Sequence, residues 1–322
     1  MMKEKSNPEL FEKCPLIPIL TGATAVGKTS TSIELAKILN GEILSIDSRQ
    51  LYKFLDIGTA KPTLREQKAI PHHLIDLFEP TRHVSAGEYR RLAVKVVEDI
   101  ISRGKTPIFV GGSGMYIKAL THGIFKRSTS NPEIRHALLH EIQEKGNIPL
   151  YNRLMEIDPE TARKIHINNA KRITRALEIF QITGKPASEH FEKQKLDPAF
   201  PTKVFVMNRE RPILYERINK RVDQMLSDGL INETQNLLKN CYRNAMDELK
   251  TLGYQEVIQF IDKEISLEEM TENLKMNTRR YAKRQLTWLR HQLDAQWIDI
   301  SNTDSPESVA KKITISLERK IN

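Results

Sequence analysis

Gly22-Ala23-Thr24-Ala25-Val26-Gly27-Lys28-Thr29 satisfies every fixed position of the phosphate-loop pattern G-x-x-x-x-G-K-[ST]. Glycines at the ends of such a loop let successive backbone N–H groups turn inward around an anionic diphosphate. Lys28 adds a point charge, and the Thr29 hydroxyl is a candidate ligand for Mg2+. The flanks agree. Leu16–Thr21 is a short apolar strand, and Ser30–Leu39 has helical apolar spacing, so a helix N-terminus points at the anion. The loop alone leaves open whether the diphosphate belongs to a nucleotide.

Working outward, short apolar strands alternate with helical stretches from Leu16 to about Leu120, the βαβ signature of a parallel sheet. Strands are expected at Leu16–Leu20, Glu42–Ile46 and Pro107–Val110, and Lys203–Met207 is expected to rejoin the same sheet. From about Pro132 to His190 the chain is polar, basic and helical, which reads as an all-helical insertion. This divides the chain into a core of 16–125 and 200–300, an insertion of 130–195, and peripheral segments 1–15 and 303–322.

A chain of 322 residues with a net charge of +9 favours a polyanionic partner. Cys14 and Cys241 are far apart and lack C-x-x-C spacing, which suggests neither a disulfide framework nor a zinc site. The first residues mix acids with bases and lack the apolar core of a signal peptide, and no apolar run approaches a membrane span. These features predict a cytoplasmic protein, and a monomer, since no heptads appear.

Asp47-Ser48-Arg49-Gln50 falls where the second strand runs out, the edge of a parallel sheet where ligands bind. A carboxylate there can hold Mg2+ through water or accept a proton, or it can simply cap a helix. Gly111-Gly112-Ser113-Gly114 is a second glycine-rich strand-to-helix turn, either a further anion site or a structural tight turn. His72-His73 lacks a second ligand cluster and reads as structural. Arg221 lies beside the stripe Leu214, Ile218, Val222 and Met225, facing either an anion or an acidic side chain. Asn273–Leu293 contains no Asp or Glu in a chain with 41 of them, yet carries six Lys and Arg with Tyr281 and Trp288. Such a helix suits RNA or DNA; a solvated basic helix is the plain alternative.

Together these segments resemble the tRNA dimethylallyltransferase family. The resemblance rests on the phosphate loop, D-S-R-Q-L-Y-K-F-L-D-I-G-T-A-K-P (Asp47–Pro62), I-P-H-H-L-I-D, V-G-G-S-G-M-Y (Val110–Tyr116) and N-P-E-I-R (Asn131–Arg135). K-R-I-T-R-A-L-E (Lys171–Glu178), L-Y-E-R-I-N-K-R-V, G-Y-Q-E (Gly253–Glu256) and K-R-Q-L-T-W-L-R (Lys283–Arg290) continue it in family order over about residues 16–300. It implies a P-loop NTPase-like parallel sheet with helices on both faces, and an insertion closing over a tRNA anticodon stem-loop. The loop then holds dimethylallyl diphosphate, with Mg2+ near Thr29. The reaction implied is transfer of the dimethylallyl group to N6 of adenosine 37, in tRNAs reading codons that begin with U.

By the same resemblance Asp47 is the general base, Arg221 contacts the diphosphate, and Ser113 and Arg172 complete the catalytic set. Contacts to tRNA fall to Asp47, Ser48, Arg49, Gln50, Ser113, Arg135, Lys171, Arg172, Ile173, Thr174 and Arg175. Lys250, Gly253, Tyr254, Gln255, Lys283, Arg284, Gln285, Trp288 and Arg290 continue that surface. Three places depart from the family: Ser113 where threonine is usual, Gln255 where Arg or Lys is usual, and a basic stretch between Gly123 and Asn131. The competing readings are an ATP-dependent P-loop kinase of a nucleoside or nucleic-acid end, transfer to free adenine nucleotides, and non-catalytic RNA binding. No adenine-binding element signals the first, and the basic, aromatic-bearing C-terminal half argues against the second. The intact Lys28, Thr29 and Asp47 argue against the third.

Overall fold

A computed structural model of the chain describes residues 16–123, 131–192 and 197–318. It divides into two compact units, Met1–His122 with Pro198–Asn322, and Gly123–Asp197.

Six parallel strands, β1 (Ile17–Gly22), β2 (Gly41–Ile46), β3 (His72–His73), β4 (Thr106–Gly111), β5 (Thr202–Asn208) and β6 (Gln296–Asp299), form the sheet of the first unit. Their order is β3-β2-β4-β1-β5-β6, with Ile19 level with Phe109 on one side and Val204 on the other. Side chains alternate along a strand, and here both faces are covered. Ile17, Ile19, Phe109, Val204 and Val206 enter one core, and Leu20, Ile108, Phe205 and Met207 enter the other. A strand buried on both sides reads as a continuous apolar run, which is why these four were visible in the sequence. Each such side chain contributes about 1.5–3 kcal/mol on burial.

The helices of this part are α1 (Lys28–Ile38), α2 (Leu64–Ala69), α3 (Ala86–Ser102) and α4 (Gly114–Thr121). Helix α3 starts where the Ser85 hydroxyl accepts the Glu88 N–H, and it buries Tyr89, Ala93, Val97 and Ile100 at helical spacing.

The second unit holds α5 (Pro132–Lys145), α6 (Asn147–Ile157), α7 (Pro159–Arg163), α8 (Ala170–Thr183) and α9 (Ala187–Glu192). Asn131 caps α5 by accepting from Glu133 and Ile134 N–H, with Pro132 at the first helical position. Leu138, Leu150, Leu154, Ile173, Leu177 and Ile179 form its own core.

After β5 the first unit resumes with α10 (Arg211–Ser227), α11 (Leu230–Lys239), α12 (Arg243–Leu249), α13 (Tyr254–Ile261), α14 (Leu267–Gln292) and α15 (Pro306–Glu318). Residues 303–322 were expected at the periphery. Instead α15 buries Val309, Ala310 and Ile313 in the core that also takes Leu35 and Ala36 of α1. That stripe is short and lies beyond the motifs, so the sequence did not mark it. Residues 1–15, with Cys14, and the basic stretch 124–130 lie outside the described residues.

Candidate active site

The phosphate loop joins β1 to α1. Gly22 has φ of +144°, and a Cβ there would stand 2.4 Å from the Met207 carbonyl oxygen, so only glycine permits β1 to lie this close to β5. Two arginines brace the loop from outside: Arg209 Nε donates to Val26 O at 2.9 Å and Arg217 Nε to Ala25 O at 2.8 Å. Inside, Lys28 Nζ donates to Gly22 O and Ala23 O. Burial, and then the nearby Arg221 charge, bring the Lys28 ammonium down to about 7.

A cavity of about 480 Å³ opens over the loop, lined by Lys28, Thr29, Asp47, Arg221, Tyr281 and Gln285 among others. Asp47 stands at the end of β2, and residues 48–50 form a turn, so it caps no helix. Its Oδ1 accepts the Arg49 N–H at 2.8 Å. Burial holds its carboxyl above the usual carboxylate range, opposed by that N–H and by the Lys28 charge. The strand end is fixed from behind by Tyr89, whose hydroxyl donates to Ser45 O at 2.8 Å and whose ring stacks on Tyr116.

Arg221 projects from α10 and donates from Nη1 to Thr24 Oγ1 at 3.2 Å. Among the described residues no carboxylate pairs with it, which favours the anion-facing reading over the ion-paired one. Ser113 accepts the Ser48 N–H on its hydroxyl at 2.8 Å and donates its own N–H to Ile46 O at 3.1 Å, tying the second glycine turn to the backbone beside Asp47.

Several residues expected to meet RNA have other partners. Ile173 and Thr174 are buried in the helical unit, and Tyr254 is buried with its hydroxyl donating to Glu233 at 2.6 Å. A motif read as a continuous string includes the inward positions of its helix, and these three side chains occupy them. Gly253 is also buried and gives its N–H to Glu256. Gln50 accepts from Ser45 and donates to Thr59 O and Ala60 O, while Arg49 donates to Leu249 O. Gln255 donates to Met246 O. Arg135 and Arg175 both bond to buried Glu178. Lys171, Arg172, Lys250, Lys283, Arg284 and Arg290 are exposed. Arg290 lies over the Trp297 ring, whereas Arg284 shares an open hollow of about 580 Å³ with Arg280, Lys283 and Trp288. Trp288 packs on Gly114, where a Cβ would come within 2.6 Å of the ring.

The histidine pair is structural in part. His73 Nε2 meets Glu42 at 2.7 Å, and Glu42 is held well below the usual carboxylate range, chiefly by hydrogen bonds from Arg103. His72 contacts Ile70 O and lines the cavity.

Sequence reading missed Glu233. From α11 its carboxylate accepts the N–H groups of Asp56, Ile57 and Gly58, besides the Tyr254 hydroxyl. Gly58, Thr59 and Ala60 line the cavity, so Glu233 fixes one wall from outside. Arg217 was also missed, although it lies four residues before Arg221 on α10 and so shares its helical side.

The family model described as IPP transferase matches residues 50–292. The chain belongs to the IPP transferase family. A tRNA dimethylallyltransferase from Alkaliphilus oremlandii is 46% identical over 296 residues, covering 92% of this chain and 95% of that protein. One from Acetivibrio thermocellus is 44% identical over 299 residues, with coverage of 92% and 95%. Among solved structures, the tRNA isopentenylpyrophosphate transferase from Bacillus halodurans aligns with a TM-score of 0.69 at 38% identity, covering 95% of this chain and 97% of that one. A eukaryotic dimethylallyltransferase captured acting on tRNA aligns with a TM-score of 0.82 at 30% identity, covering 94% and 78%. The parallel sheet and phosphate loop are those of the IPP transferase family, and the kinase alternative is set aside. No helix among the described residues is long and apolar enough to cross a membrane.

Proposed function

We propose that this chain transfers a dimethylallyl group from dimethylallyl diphosphate to N6 of adenosine 37 in the anticodon loop of tRNA, with Asp47 as the general base. The observation that carries the assignment is one cavity shared by a half-buried carboxylate, Asp47, and the cations Lys28 and Arg221 over a phosphate loop.

The diphosphate lies against the loop amides at the N-terminus of α1, with Lys28 and Arg221 on its oxygens. The N6 lone pair of a flipped adenine attacks the allylic carbon. The carbon–oxygen bond breaks toward the diphosphate, and the N6 proton passes to Asp47. A carboxyl held above its ordinary range accepts that proton more readily than an exposed aspartate would.

The Thr29 hydroxyl supplies a hard oxygen donor, and among the described residues no group of three His, Cys, Asp or Glu is placed to hold a metal. That donor set suits Mg2+ carried mainly by diphosphate oxygens and water. Bound there, the ion would neutralise charge developing on the leaving diphosphate.

Exposed Lys171 and Arg172 on the helical unit, and Lys283, Arg284 and Trp288 on α14, offer cations and a stacking ring to the RNA.

The test incubates wild type and Asp47→Ala with Mg2+, labelled dimethylallyl diphosphate and unmodified tRNA bearing A36-A37. Label should reach tRNA with wild type and fall by about 10²–10⁴-fold in the variant. Unchanged transfer would remove Asp47 from the chemistry. No transfer by folded wild type, with tRNA-independent ATP consumption, would restore the kinase.

A further inference from the structure

We propose that Gln285 limits the phosphate loop to a diphosphate, by keeping its amide oxygen on the Thr24 N–H that a third phosphate would take. The inference rests on the transfer reading above, in which the loop's ligand carries two phosphates.

Gln285 was expected on the RNA surface, between exposed Lys283 and Arg284 and half-buried Trp288. Its side chain turns the other way. Oε1 accepts the Thr24 N–H at 2.9 Å, and Nε2 faces the Gly112 carbonyl at 3.5 Å. The Thr24 N–H fixes which end of the amide is oxygen, since a donor requires an acceptor. The side chain is wedged there: a Cβ on Gly112 would come within 2.4 Å of Nε2.

Thr24 is the third residue of the loop. Backbone N–H groups of such a loop cradle a polyphosphate with the lysine reaching its outer groups, and Thr24 stands at the strand end of the loop, away from the helix. Around Lys28 and Thr29 the cavity is open to an anion, whereas at Thr24 the N–H already has an acceptor. The Thr24 hydroxyl is held from α10 by Arg221 at 3.2 Å. A third phosphate at this end would meet the lone pairs of Oε1 instead of a free N–H. A second phosphate, seated nearer Lys28, avoids it. Losing one charge-assisted hydrogen bond weakens binding by about tenfold or more.

Calorimetry with Mg2+ at fixed ionic strength compares inorganic pyrophosphate with inorganic tripolyphosphate. The quantity read is the ratio of the tripolyphosphate Kd to the pyrophosphate Kd. It should fall about tenfold in Gln285→Ala, and should not fall in Gln285→Glu, which keeps the acceptor and adds a charge. If Gln285→Ala does not fold by circular dichroism, Gln285→Asn, too short to reach Thr24, should show the same fall. A ratio unchanged within about twofold in the shortened variants overturns the inference. So does a loss of tRNA affinity with no change in the ratio, which would return Gln285 to the RNA surface. Wild-type transfer of label to tRNA with an unchanged ratio removes this inference alone. A falling ratio without any transfer by wild type supports the filter and removes the prenyl-transfer reading.

Discussion

Arginines gather in both units of the molecule, and the two groups differ in what faces them. In the helical unit Arg135 and Arg175 both reach Glu178, whose side chain is fully buried, and the Asn131 N–H joins them. Over the phosphate loop Arg221 faces a threonine hydroxyl, with Lys28 and Arg217 as its charged neighbours. The first group is neutralised by the protein and holds a fold together. In the second, Asp47 offsets part of the Lys28 charge but no carboxylate among the described residues meets Arg221, an arrangement that costs stability until an anion enters.

The sharpest way to break this contrast is Arg221→Ala. Removing a cation from the leaving group should lower kcat/KM for dimethylallyl diphosphate by about 10²–10³-fold, while the melting temperature holds or rises. A variant that melts early with its kinetics intact would make Arg221 structural, like its counterparts in the helical unit.

Glu178→Gln tests the other side. It leaves two arginines and a backbone N–H facing a neutral amide, and should lower stability by about 1–2 kcal/mol in denaturant titration, with both arginines' part exposure limiting the loss. Pyrophosphate affinity should not change. A shift in that affinity would show that the two groups are not separate.

The smallest effect concerns protons. Ligand-free Lys28 lies at about 7 because burial and Arg221 oppose its charge. A bound diphosphate favours the charged form, so above pH 7 binding should take up part of one proton, and affinity should decline as pH rises. Calorimetry in buffers of different ionisation enthalpy reads the uptake, and Lys28→Arg should abolish it. Binding without any uptake in wild type would mean that Lys28 is fully charged before the anion arrives.

How much of this was legible in the sequence depended on burial. Strands β1, β2, β4 and β5 are covered on both faces and appear as apolar runs. Strand β3 is two half-buried histidines at the sheet edge, and β6 is four residues with only Ile298 buried, so neither carries a pattern. The phosphate loop, and the placing of Asp47 at the end of a strand beside it, were legible because both are local in the chain. Glu233 was not, since its partners at 56–58 lie about 175 residues away and an acidic residue on a helix looks solvated. Gln285 shows the opposite case, a polar residue on a basic helix whose side chain reaches the phosphate loop. Its neighbours Lys283 and Arg284 are exposed, and only the three-dimensional helix shows that the residue between them and Trp288 faces inward.

The packing of α15 on α1 has a consequence for how the molecule is made. The phosphate loop at residues 22–29 is made before the segments that support it. Its strand pairs with β4 from residue 106 and β5 from residue 202, and the helix behind it packs on the sheet and also on residues 306–318. During synthesis the part of α1 that meets α15 therefore waits until residues 306–318 have been made. Chaperones acting on the nascent protein would find an apolar target beside the anion site over that interval.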